Sequence, residues 1–307
     1  MRILNFRFSL FVSMVTLLFL APAPASFAQN KSDDEVISID TNLVVLNAVV
    51  TDESGNYVAN LKQKDFQIFE DGKPQTITTF GAENTPFAAV VLLDTSGSME
   101  TRMAVARSAA IKFLDGLRDE DVAAVYNFDS KVKLVQEFST SHDLSPLGFD
   151  LKARGMTVLN DAVIEAAKVL QAQPEKRRAI IVLSDGADTF SKASQNKALQ
   201  AALTASATIY TVDMSAIDGG NSLERKQSIN ALKTFAEKSG GRFVAVAGGQ
   251  EMRDAFHQIV EELNSQYTIA YQPLNTARDG KYRTITVKTA RPTIQIRTRQ
   301  GYNAPKK

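Results

Sequence analysis

The segment Asp94-Thr95-Ser96-Gly97-Ser98 places one carboxylate and two hydroxyls at alternate positions directly after the apolar run 87–93. Alternate positions of a turn can converge, Gly97 eases the bend, and hard oxygens of this kind suit Mg²⁺, Ca²⁺ or Mn²⁺ rather than zinc. The same residue types also cap helices well, and a helix is expected to begin near Thr101. On these five residues alone the cation site and the helix cap both stand. Two further segments bear on the choice. Residues 155–162, Gly-Met-Thr-Val-Leu-Asn-Asp-Ala, precede an apolar-periodic helix, and 179–186 is a second apolar run that ends in an acid, Asp185.

Taken in order, Asp94, Ser96, Ser98, Thr157 and Asp185 resemble the metal-ion-dependent adhesion site (MIDAS) of a von Willebrand factor A (VWA) domain. All five positions match, each on the expected loop, and the resemblance covers roughly residues 86–266. Three separated motifs in register are more specific than one. The chain is most similar to secreted bacterial VWFA-related proteins, which also carry a short β-rich stretch before the A domain and a Tyr-rich one after it.

This resemblance implies a divalent cation, Mg²⁺ first and Mn²⁺ or Ca²⁺ as alternatives. The hydroxyls of Ser96 and Ser98 would hold it, Thr157 would join directly or through water, and Asp94 and Asp185 would stand close by and set the local charge. Few direct anionic contacts leave such a cation electrophilic, with a vacant position for an Asp or Glu carboxylate of a protein partner. The implied function is an exported, cation-dependent, adhesion-type binding module and not an enzyme. Asp188 reads as a solvated turn residue and Asn160 and Asp161 as caps of the helix behind Thr157. Asp213, at a strand end, is ambiguous, and all four are left outside the site.

The alternatives are a metal-dependent hydrolase and a structural envelope protein with a vestigial metal site. A serine hydrolase would need a nucleophile elbow, but Gly-x-Ser-x-Gly is missing and the two histidines, His142 and His257, sit in polar or helical surroundings. Metal-assisted hydrolysis would need a general base near the loops, where Glu100 and Lys152 are the nearest in sequence.

Positioning these residues requires strands that end at one edge. Residues 87–94, 122–128, 179–184, 207–213 and 242–246 read as strands, the first and third apolar throughout, as in a sheet covered on both faces. Residues 132–138 alternate and follow a tight turn, which marks an antiparallel edge strand. Helical faces appear between them, one through Ala106, Ala109, Ala110, Phe113, Leu114 and Leu117 and another through Ala162, Ala166, Val169 and Leu170. Further helices are expected at 197–206, 223–238 and 251–266, with Gly240-Gly241 stopping the second of these. The fold class is α/β: a doubly wound, mostly parallel sheet flanked by helices, VWA- or Rossmann-like, with ligands at the carboxyl ends of the strands.

Short alternating runs at 36–39, 43–50, 66–69 and 76–80, separated by Asp52 to Asn56 and Asp71 to Pro74, form an N-terminal β-rich segment, 36–83. The tail 267–302 returns to β character, with Asp279-Gly280 expected as a hairpin turn. Neither segment is large enough for a core of its own, so the two are expected to pair, with the VWA domain 86–266 between them; two independent β appendages, or a tail that extends the sheet of that domain, are the alternatives. Tyr267, Tyr271 and Tyr302 read as half-buried sheet residues.

Composition sets the compartment and excludes some partners. Arg2 and Arg7, an apolar stretch at 8–20 and Ser26-Phe27-Ala28 read as a signal peptide, residues 1–28, which predicts export to the periplasm or beyond and no membrane span after cleavage. The 307-residue chain contains no Cys, so neither a disulfide nor Cys-linked lipid is available. It is 44% hydrophobic and 22% charged, as a globular protein is, and loss of the signal takes its formal charge from +1 to −1. No basic field attracts nucleic acid. These patterns leave the oligomeric state open.

Overall fold

The computed structural model describes residues 43–82, 85–140, 155–215, 222–245 and 249–306. The signal segment 1–28, the run expected at 36–39, His142 and Lys152 lie outside the described residues. The chain opens with β1 (Val44–Thr51), β2 (Phe66–Glu70), β3 (Lys73–Gln75) and β4 (Ile77–Gly81). Asp71 and Gly72, with φ of 48° and 77°, form the two-residue turn that sets Glu70 opposite Lys73. Two positive φ values match the twist of the flanking strands, which is why Asp-Gly favours this hairpin. Pro74 is tolerated because β3 is the edge strand of its sheet.

The α/β layer follows as β5 (Phe87–Asp94), α1 (Met103–Asp115), β6 (Val122–Phe128), β7 (Val132–Ser139), α2 (Leu159–Gln171), β8 (Arg177–Ser184), α3 (Gln195–Thr204), β9 (Ala207–Asp213), α4 (Leu223–Ser239), β10 (Phe243–Ala245) and α5 (Gly249–Asn264). The sheet order is β10-β9-β8-β5-β6-β7, with β7 antiparallel to β6 and the other pairs parallel. Every residue of β5 is buried, because its alternate side chains feed two cores. Phe87, Ala89, Val91 and Leu93 pack with α1 and α5, and Ala88, Val90 and Leu92 with α2, α3 and α4. Gly240 ends α4 in the left-handed region at φ 84°.

The tail supplies β11 (Tyr267–Tyr271), β12 (Tyr282–Thr289), β13 (Gln295–Arg297) and β14 (Gly301–Asn303). These strands pair with the opening ones in two antiparallel sheets, β13-β1-β11-β4 and β14-β12-β2-β3. Leu46, Ile68, Ile269 and Ile285 meet in the core of this β unit, so the two flanking segments close one apolar interior. Glu262 of α5, fully buried, joins the layers: its carboxylate lies 2.9 Å from Arg242 Nη2 and 2.5 Å from Arg297 Nη2 of β13.

Two expectations need correction. Asp279-Gly280 is not a hairpin turn, because β11 and β12 enter different sheets; Asp279 instead bridges to Lys306, and its carboxylate accepts from Lys281 N and Arg283 Nη2. Tyr267 and Tyr271 are fully buried rather than half-buried. Their hydroxyls allow it: Tyr267 donates to the Val58 carbonyl at 2.8 Å, and Tyr271 to the Glu70 carboxylate at 2.7 Å. A buried phenol needs such a partner.

Candidate functional site

The chain reverses direction across the sheet at β5. From β5 it proceeds to β6 on one side, but β8, β9 and β10 all lie on the other. The carboxyl ends of β5 and β8 therefore flank a topological switch point, where open α/β sheets leave a crevice. Asp94 is the last residue of β5, and Asp185 directly follows β8.

After β5 the backbone enters a 3-10 turn, Gly97–Arg102, before α1. Ser96 occupies the N-cap position of that turn, yet its side chain makes no capping hydrogen bond. Its Oγ instead lies 3.1 Å from Ser98 Oγ. Ser96 is buried and Ser98 exposed, so the hydroxyl pair leads from the interior to solvent. The helix-cap explanation of this pair thus loses its main contact. A cation could use the spacing: at bond lengths of 2.0–2.1 Å, neighbouring oxygens of a Mg²⁺ octahedron lie about 2.9 Å apart.

Asp94 is fully buried and doubly engaged. Oδ1 accepts from Ser96 N at 2.9 Å, and Oδ2 accepts from Ser184 Oγ at 2.5 Å. Burial pushes its carboxyl up to about 6, against the hydrogen bonds from Ser184 and Ser96, and the Asp185 charge adds to the rise. A desolvated carboxylate with a second acid nearby is stabilised by positive charge. Among the described residues no three His, Cys, Asp or Glu side chains gather as a metal cluster. A cation here could draw on the hydroxyls of Ser96 and Ser98, which a hard ion accepts. Within those terms the donor set fits Mg²⁺ or Mn²⁺.

Thr157 is buried on the second loop and reaches the third through its backbone. Its carbonyl accepts from Thr189 N and Phe190 N at 3.1 and 3.0 Å, and its N–H donates to Thr189 Oγ1 at 3.0 Å. Val158 N bonds the carbonyl of Asp129, the residue after β6. The first and second loops also approach closely, since a Cβ on Gly97 would sit 3.5 Å from Gly155 N. Asp185 Oδ1 accepts from Ala187 N at 3.2 Å, and Oδ2 stands 3.9 Å from Arg102 Nη1. Met156 and Phe190, 45% and 52% exposed, border the loops.

Several partners were not foreseen from sequence. Ser184 bridges the two strand ends, accepting from Gly186 N at 2.9 Å while it donates to Asp94. Asp188 is not a merely solvated turn residue: it accepts from Asn160 N at 2.7 Å and so caps α2 from another loop. Asp161 does not cap α2 with its side chain but accepts from Lys192 N and Ala193 N, both at 3.0 Å. Asp213 accepts from Ser215 N and Oγ. His257 is exposed beside Glu261 at 3.5 Å.

Residues 89–187 match the family model described as von Willebrand factor type A domain. No curated protein matches the chain. Among solved structures, it is similar to the pilus adhesin SpaC from Lactobacillus rhamnosus GG in its open conformation, with 10% identity over 83% of this chain and 49% of that one and a TM-score of 0.50. It also resembles a von Willebrand factor type A protein from Catenulispora acidiphila, 13% identical over 81% and 76% of the two chains, TM-score 0.49. A third is the vWF domain of the type V pili tip protein Mfa5 from Porphyromonas gingivalis, 13% identical over 59% and 96%, TM-score 0.49. The chain therefore carries a von Willebrand factor type A-like α/β fold, a mostly parallel sheet flanked by helices, with additional antiparallel β sheets.

Proposed function

We propose that this chain is an exported, divalent-cation-dependent protein-binding module of adhesion type. The observation that carries the reading is the pair of hydroxyls, Ser96 Oγ and Ser98 Oγ, 3.1 Å apart beside the buried Asp94 at the switch point of the sheet. Ser96, Ser98 and Thr157 would hold the cation, with Asp94 and Asp185 supplying charge. When bound, the cation offers an electrophilic position to an Asp or Glu carboxylate of a protein partner. Ser184 keeps Asp94 oriented, and the exposed Ser98 keeps the position open to solvent. The apolar side chains of Met156 and Phe190 would border the docked partner. Export rests on the signal-like residues 1–28.

We read the role as binding rather than turnover because the sequence carries no Gly-x-Ser-x-Gly nucleophile elbow and the five loop residues follow the order of an adhesion site. The test is calorimetry of the full chain with Mg²⁺ and Mn²⁺, followed by a pull-down from the cell envelope with and without chelator. Binding of cation and a partner released by chelator and by Asp94→Ala are the expected results. A folded protein that takes up neither cation would sink the assignment. Turnover of ester, peptide or phosphoester substrates, abolished by Ser96→Ala, would replace it with the hydrolase reading.

A further inference from the structure

Arg102 closes the 3-10 turn after β5, yet only 6% of it is exposed. Its Nη1 donates to the Ser98 carbonyl at 2.9 Å and stands 3.9 Å from Asp185 Oδ2, with the two side chains 8% and 11% exposed. One guanidinium thus ties the first loop to the third. It brings one positive charge to the ligand loop. At low exposure solvent screens it little.

The charge count then matters. Asp94 and Asp185, ionised, carry two negative charges, which a divalent cation alone would neutralise. With Arg102 included, the loaded site keeps one positive charge. A neutral site has little to gain from an anion, whereas a site in positive excess is completed by one carboxylate. Before a cation enters, the guanidinium already partly satisfies Asp185 and repels the incoming ion.

Resting on the cation-site reading above, we propose that Arg102 is a positioning residue and resident counter-charge of this site: it weakens cation binding and leaves the loaded site selective for carboxylate-bearing partners. Arg102 sets how tightly the cation is held and how strongly the loaded site draws an anion. The hydrogen bond to the Ser98 carbonyl keeps the guanidinium beside the ligand loop while it does so.

The experiment uses the full chain, Mn²⁺ as the cation and acetate as the carboxylate probe. Mn²⁺ affinity is read from the free-ion electron paramagnetic resonance signal, and acetate binding from the loss of water-proton relaxation by the bound Mn²⁺. Arg102→Gln is expected to bind Mn²⁺ about tenfold more tightly, on charge removal alone, and to need about tenfold more acetate for the same relaxation loss. Arg102→Lys, which retains the charge, should stay within about threefold of the parent on both readouts. Loss of Mn²⁺ affinity in both variants would make Arg102 only a brace for Ser98 and overturn the proposal, as would a Gln variant indistinguishable from the parent. If the parent chain binds no Mn²⁺, the cation-site reading itself fails and this inference falls with it. Should the Gln variant not fold, the guanidinium ¹⁵N resonances of Arg102 in the parent decide: they must shift as Mg²⁺ is added, and a fixed spectrum at saturating Mg²⁺ overturns the proposal.

Discussion

Ser184 Oγ donates to Asp94 Oδ2 across 2.5 Å, joining the ends of two adjacent parallel strands through residues 90 positions apart. Ser184 also accepts from Gly186 N, so one hydroxyl fixes both the carboxylate and the start of the third loop. Ser184→Ala leaves a buried carboxylate oxygen without its donor. The expected cost is about 1–3 kcal/mol in urea denaturation, together with weaker Mg²⁺ binding by calorimetry. An unchanged midpoint would mean that another group satisfies Asp94.

Ser96→Ala and Ser98→Ala separate ligation from stability. Ser98 is exposed and caps no turn, so Ser98→Ala should unfold within about 0.5 kcal/mol of the parent, whereas Ser96, buried beside Asp94, should cost about 1 kcal/mol. Each should nonetheless lose Mg²⁺ and Mn²⁺ binding in calorimetry. Destabilisation without a change in cation affinity would return these hydroxyls to a structural role.

Gly186 adopts φ 80°, and a Cβ there would lie 2.6 Å from Ser228 O and 2.9 Å from Leu232 Cγ of α4. Gly186→Ala should therefore cost about 2 kcal/mol or more, since left-handed strain and a backbone clash act together. The loop bearing Asp185 would shift with it. Thermal melting and cation calorimetry of the variant test both effects.

Burial pushes the Asp129 carboxyl up, but hydrogen bonds from Lys131 N and the Lys133 ammonium outweigh it and hold the group below its ordinary value. A depressed carboxylate contributes stability above its unfolded value and loses it as pH falls through the folded one. Asp129→Asn should thus cost about 1 kcal/mol at pH 7, discounted because Lys133 is largely exposed. The gap between parent and variant should narrow below pH 4, roughly the unfolded value. A gap that is constant with pH would assign the effect to packing.

Glu262→Gln removes the carboxylate shared by Arg242 and Arg297 while keeping its shape. Breaking a buried pair usually costs 3–5 kcal/mol; here about 2 kcal/mol is expected because both arginines reach solvent. Denaturation followed by tyrosine fluorescence reads the change. A variant as stable as the parent would mean that the arginine donors find other acceptors.

Much of this architecture is legible in the sequence because it depends on local periodicity. The fully apolar runs ending at Asp94 and Ser184 announce strands covered on both faces, and Gly240 announces the end of α4. Harder to read are contacts between loops. Asp188 and Asp161 accept from backbone N–H groups 28 to 32 positions away, although by residue type the first reads as a solvated turn residue and the second as a local cap. No local pattern singles out Arg102; only the folded chain brings it to Asp185. Asp279-Gly280 carries hairpin chemistry, but turn residues do not encode which sheet the next strand joins. The positions of Asp94, Ser96 and Ser98 at a strand end could be read directly, whereas the Ser184 bridge had no motif.

The pairing of β1 with β11 sets an order on synthesis. Asn47 and Thr268 face each other in that ladder although 221 positions separate them. The α/β layer can close through segments that leave the ribosome close together, but β1 must wait for nearly the whole chain. Until β11 emerges, Val44, Leu46 and Ala48 have no partner strand there, and such open edges recruit wrong neighbours. A chain halted before Tyr267 would thus combine a complete α/β layer with an unpaired β1 edge.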